Sequence, residues 1–138
     1  MNECVSKTED PRIVFTENRQ KATFLNPNRR EIRKVKVDGC AITSGRRCDY
    51  MLSDQRNWYI ELKGKEIEYA LKQICESILH LNQKFGNLQP VAVIVADHVP
   101  ANAGFQKAWG RAKKDGALNL LNLKDIRLKS RKIKIKID

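Results

Sequence analysis

Six consecutive apolar residues, Val91 to Ala96 (V-A-V-I-V-A), constrain the fold more than any other stretch of this chain. The run is rich in β-branched side chains and far short of the roughly 20 apolar residues a helix needs to cross a bilayer. A strand apolar on both faces has to be covered on both faces. Upstream, from Lys65 to Phe85, the period becomes helical. Ile67, Ala70, Leu71, Ile74, Ile78 and Leu81 recur every three or four residues and make one apolar stripe, closed by Gly86. A helix feeding directly into a buried strand predicts an α/β protein with a mixed central β-sheet flanked by helices.

The remaining segments fill in that sheet. Arg12–Thr16 and Lys21–Leu25 read as strands of an N-terminal hairpin around E-N-R-Q, and N-P-N-R-R as a turn. Arg30–Val37, Gly45–Leu52 and Asn57–Lys63 read as three further strands, the last two joined by S-D-Q-R. Ala103–Lys114 predicts a second helix anchored by Trp109, and Leu118–Leu123 a short apolar segment. The tail from Ile126 to Asp138 carries K-I-K-I-K-I, a period-two strand. Residues 1–10 are expected to be a loose polar leader, 30–96 the core and 103–138 a basic extension, all within one domain of 138 residues.

Charge narrows the partners. A net charge of +11 and a pI near 9.7 on so small a chain suit a polyanion, nucleic acid first. Arg29, Arg30, Arg46 and Arg47 fall in one basic block; the other lies between Gln106 and Asp138. Lys132, Lys134 and Lys136 share one face of the tail strand, where they either touch nucleic acid or guard an edge against aggregation. Cys4, Cys40, Cys48 and Cys75 form no C-x-x-C pair, and with only His80 and His98 beside them a zinc site is not expected. The polar opening M-N-E-C-V-S-K-T-E-D is unlike a secretory segment, so free thiols, a cytoplasmic protein and no membrane association are expected.

Chemistry concentrates in C-D-Y-M-L-S-D-Q-R-N-W-Y-I-E-L-K-G, Cys48 to Gly64. On a strand, residues two apart share a face, so Glu61 and Lys63 project together with Tyr59, opposite Trp58, Ile60 and Leu62. Pairing through S-D-Q-R brings Asp49 beside Glu61. Two adjacent carboxylates repel, and a hard divalent cation with oxygen ligands relieves that repulsion. A lysine beside such an ion can hold a phosphate oxygen or orient water, which makes the set suited to phosphodiester hydrolysis. Core packing is the expected role of Tyr50 and Tyr69.

This arrangement resembles the PD-(D/E)xK nuclease superfamily, with its restriction-endonuclease-like αβββαβ core. Asp49 stands for the first acid, without the proline of the family's name, and E-L-K (Glu61, Leu62, Lys63) for the second element. The resemblance covers roughly residues 30–96. It implies Asp49, Glu61 and the Leu62 main-chain carbonyl as ligands of Mg²⁺ or Mn²⁺, and Lys63 as the residue serving the nucleophile. It also asks for an acid before the first core strand, for which Glu31 is the nearest candidate and Glu17 the next. Gln73, on the helix after the lysine strand, is either part of the site or a plain surface glutamine. The expected activity is metal-dependent hydrolysis of nucleic acid, DNA before RNA, by a homodimer or with a protein partner. A catalytically silent nucleic-acid binder and a partner-dependent interaction module are the alternatives.

Overall fold

The computed structural model describes residues 2–64, 66–98, 110–111 and 121–137, the side chains of Asn2 and Lys63 excepted. Among them the chain is mixed α/β, built on two open sheets and one long helix. The strands are β1 (Val5–Thr8), β2 (Arg12–Glu17), β3 (Gln20–Leu25), β4 (Ile32–Lys36), β5 (Tyr50–Ser53) and β6 (Asn57–Gly64). Helix α1 (Ile67–Leu81) follows, then β7 (Pro90–Ala96), β8 (Asp125–Ser130) and β9 (Lys132–Lys136). The larger sheet runs β1-β4-β5-β6-β7-β8, antiparallel as far as β6 and parallel from β6 to β8. The smaller runs β2-β3-β9, with β9 parallel to β3.

The apolar run behaves as its composition demands: every residue of β7 is buried. Ala92 and Ile94 face α1, in a core shared with Val35, Met51 and Tyr59. Val91, Val93 and Val95 face the smaller sheet, among Phe24, Trp58, Ile60 and Leu62. All six stripe positions of α1 are buried. One face of the large sheet is therefore covered by the helix. The other is covered by the three-stranded sheet, where a second layer of helix was expected.

Further expectations are corrected. The N-terminal segment is no loose leader: Asn2–Cys4 forms a 3₁₀ turn, and β1 pairs in register with β4, which satisfies its backbone despite its polar sequence. Cys4 and Cys40 are joined in a disulfide, Cα atoms 5.6 Å apart, leaving Cys48 and Cys75 as free thiols. The β1–β4 pairing brings those two cysteines together across 36 residues of sequence. Finally, the basic tail is not one strand but two, β8 on the large sheet and β9 on the small one, divided at Arg131, whose φ is 65°. The alternation holds within β9, with Lys132, Lys134 and Lys136 exposed and Ile133 and Ile135 buried. The predicted strand Gly45–Leu52 begins only at Tyr50. The second helix, Ala103–Lys114, with Trp109, lies outside the described residues except for Gly110 and Arg111, which are helical. Among the described residues, no helix is long and apolar enough to cross a membrane.

A buried amide ties α1 to the sheet. Asn82 Oδ1 accepts from the Tyr59 hydroxyl (2.8 Å) and from Asn57 Nδ2 (2.9 Å), while Asn82 Nδ2 donates to the Leu88 carbonyl (2.9 Å). Burial pushes the Tyr59 hydroxyl well above its ordinary pKa, so it remains a donor. Truncation in Asn82→Ala strands two buried donors and one carbonyl. The expected loss is about 2–4 kcal/mol in urea unfolding; an unchanged midpoint would show that water replaces the amide.

Candidate active site

The site forms where β5 begins and β6 ends. Asp49 precedes β5, and its backbone is gripped from both sides. The N–H groups of Val37 and Asp38 both donate to its carbonyl (3.1 and 3.2 Å), the two-against-one pattern of a bulge, and its own N–H donates to Ile60 (3.1 Å). The Asp49 side chain then turns onto β6, where Oδ2 accepts the Leu62 N–H at 2.8 Å. Asp49 and the Glu61–Leu62 peptide are thereby adjacent. Both acids are buried, Asp49 at 5% and Glu61 at 3% exposure. β6 itself departs from regular pairing with β7 between Glu61 and Gly64; such irregularities commonly re-aim side chains beside sites.

Helix α1 supports this end. Gln73 Nε2 donates to the Arg47 carbonyl (3.1 Å), and Ser77 Oγ accepts the Cys48 N–H (2.8 Å) while donating to Gln73 O (2.9 Å). The two side chains thus fix the peptide run that delivers Asp49, so Gln73 touches the site's backbone and not its carboxylates. Burial pushes the Cys48 thiol up to about 12; the Ser77 hydrogen bond works against that rise, and the nearby Glu61 and Asp49 charges add to it.

Two further groups come from segments distant in sequence. The Tyr50 hydroxyl donates to Glu17 Oε1 (3.0 Å), and burial together with Glu17 pushes it up to about 12. Across the hairpin from Glu17, the buried Gln20 side chain donates to Asp97 Oδ1 at the end of β7. The hairpin tip therefore reaches the carboxyl ends of the parallel strands. Of the two proposed acids preceding the core, Glu17 comes to this end through Tyr50. Glu31 does not: it is exposed, lies before β4 at the opposite end of the sheet, and pairs with Lys7 at 3.5 Å.

The basic residues divide in the same way. Lys36, Arg46, Arg131 and Lys132 are exposed at the Asp49 end. Arg46 lies over the Tyr69 ring, 5.8 Å from its centroid, and Tyr69 is half-exposed, not packed in the core as expected. Arg47 directs its guanidinium to Asp38 (2.8 Å) and to the Gly45 carbonyl (2.6 Å), so it anchors the loop. Arg29 and Arg30 sit at the far end, where Arg30 pairs with Asp54. Lys134 and Lys136 run along β9 toward that end too. The Lys63 side chain lies outside the described residues. So does its expected role.

Among the described residues, no group of three or more His, Cys, Asp or Glu is placed to hold a metal. The available donors are two carboxylates and main-chain oxygen, hard ligands that fit Mg²⁺ or Mn²⁺ better than zinc. No family model, curated protein or solved structure matches the chain.

Proposed function

We propose that this protein is a metal-dependent nuclease of the PD-(D/E)xK type, with a restriction-endonuclease-like core in β4-β5-β6-α1-β7, acting on DNA. The observation that supports it best is the hydrogen bond from the Leu62 N–H to the Asp49 carboxylate, which brings the first acid against the E-L-K segment. In this reading Asp49, Glu61 and the Leu62 carbonyl hold Mg²⁺ or Mn²⁺. That ion supplies Lewis-acid polarisation of the phosphodiester and a more acidic water. The buried carboxylates are held by β5 and β6. Lys63 steadies the attacking water or the developing phosphate charge. Gln73 is a positioning residue acting through the Arg47 carbonyl, and Arg46, Lys36, Arg131 and Lys132 grip phosphates without reading bases. A cytoplasmic setting, and a second copy or partner protein that supplies target choice, belong to the same proposal.

One observation favours a silent binder instead: an Asp49 oxygen is already engaged by a backbone amide, a structural use of the side chain. The deciding assay incubates purified protein with linear, circular and branched DNA and with RNA, in Mg²⁺, Mn²⁺ or EDTA. Cleavage of DNA that EDTA stops is the expected result. Salt-sensitive binding with no cutting under any condition would reject the nuclease and leave the binder.

A further inference from the structure

The end of the large sheet away from Asp49 carries a second polar concavity, a cleft of about 260 Å³. Its cations come from four separate segments: Arg30 before β4, Arg56 in the β5–β6 turn, Arg127 on β8 and Lys136 on β9. Tertiary structure, not a basic run in the sequence, assembles them. The opposing charge is smaller. Asp54 pairs with Arg30, and Asp125 is shared by Arg56 (3.5 Å) and Arg127 (3.3 Å). Lys136 makes no ion pair among the described residues, and Arg30 Nε is buried with no hydrogen-bond partner. Trp58 lies at the cleft, only 4% exposed, with the guanidiniums of Arg56 and Arg127 5.8 and 5.1 Å from its ring centroid. Cation–π contact holds both forks before any ligand arrives, which lowers the ordering cost of binding.

We propose that this cleft binds a phosphate group carrying two negative charges. Among the described residues, four cations against two carboxylates leave an excess that a dianion matches, and forked guanidiniums favour tetrahedral oxyanions through paired, charge-assisted hydrogen bonds. At roughly 30 Å³ per water, the volume admits a phosphate or pyrophosphate. A base has no platform, since Trp58 is nearly covered and carries the two guanidiniums. A terminal phosphate of a nucleic acid and free pyrophosphate share this chemistry.

The test is calorimetry on the full chain without divalent ions, using pyrophosphate as the probe. Wild-type protein is expected to bind it one to one. Arg127→Gln should weaken binding about tenfold. Lys136→Gln, at an exposed position, should weaken it severalfold without disturbing the fold, while Lys72→Gln on the outside of α1 should change nothing. Competition by a 5′-phosphorylated oligonucleotide, but not by its unphosphorylated twin, would support the proposal and make a nucleic-acid end the ligand. Competition by neither would support free pyrophosphate. No pyrophosphate binding by wild type, or equal binding by the Lys136 and Arg127 variants, would overturn the proposal. So would loss of binding in Arg46→Gln, because the anion would then sit at the Asp49 end. None of these readouts depends on cleavage.

Discussion

Replacing Asp49 by asparagine is expected to slow DNA cleavage at least about a thousandfold while leaving fold and binding in place. The carboxamide oxygen can still accept the Leu62 N–H that Asp49 Oδ2 accepts at 2.8 Å, so the β5–β6 junction keeps its hydrogen bond. What disappears is the negative charge that the proposed nuclease would need beside Glu61 to hold a divalent ion. Asp49→Ala removes the hydrogen bond as well and leaves a buried amide unsatisfied, costing about 1–3 kcal/mol of stability. The pair of variants separates chemistry from architecture. Equal cleavage by wild type and Asp49→Asn would remove Asp49 from the metal site. Full activity in Asp49→Asn with a damaged fold in Asp49→Ala would show that the side chain serves only as a brace.

Opening the Cys4–Cys40 disulfide is expected to cost about 3–4 kcal/mol, the chain-entropy value for closing a loop of this length. The bridge spans 36 residues and fastens the 3₁₀ turn before β1 to the Val37–Ile42 turn. Val37 and Asp38, which clamp the Asp49 carbonyl, belong to that same turn. Urea unfolding with and without reductant, and of Cys4→Ser, measures the effect. Thiol titration of the native oxidised protein should find Cys48 and Cys75 alone, and only on denaturation for Cys48, which is fully buried. Identical midpoints in oxidised and reduced protein would contradict the bridge's contribution. If the protein works in a reducing compartment, the reduced form is the relevant one, and cleavage should then be compared in both states.

Local pattern announced some of this molecule and was silent on the rest. The α1 stripe was legible because six apolar residues keep helical spacing, and β7 because a run without polar interruption has few alternatives. The hairpin was legible from alternation on either side of E-N-R-Q, with Asn18 taking the left-handed conformation (φ 51°) that asparagine tolerates. The division of the tail was hidden because an arginine, not a glycine, occupies the left-handed position at 131. β1 was hidden because V-S-K-T has no apolar face; only the β4 edge makes it a strand. The candidate site divides likewise. The meeting of Asp49 with Glu61–Leu62 follows from a short turn between neighbouring strands and could be read in advance. The approach of Glu17 through Tyr50, the Gln20–Asp97 contact and the retreat of Glu31 depend on how the small sheet lies across the large one. No local pattern encodes that.

The parallel match of β9 to β3 has a kinetic consequence. Lys21 is in register with Lys132, so the small sheet is completed by a strand made long after the hairpin it joins. Closing so large a loop is entropically slow compared with forming α1 or the β5–β6 turn. The β4–α1–β7 region should gain hydrogen-exchange protection early in refolding and the hairpin late. Until the hairpin and β9 dock together, the face bearing Trp58, Ile60 and Leu62 stays incompletely covered, and that interval is when the nascent chain is most exposed to aggregation.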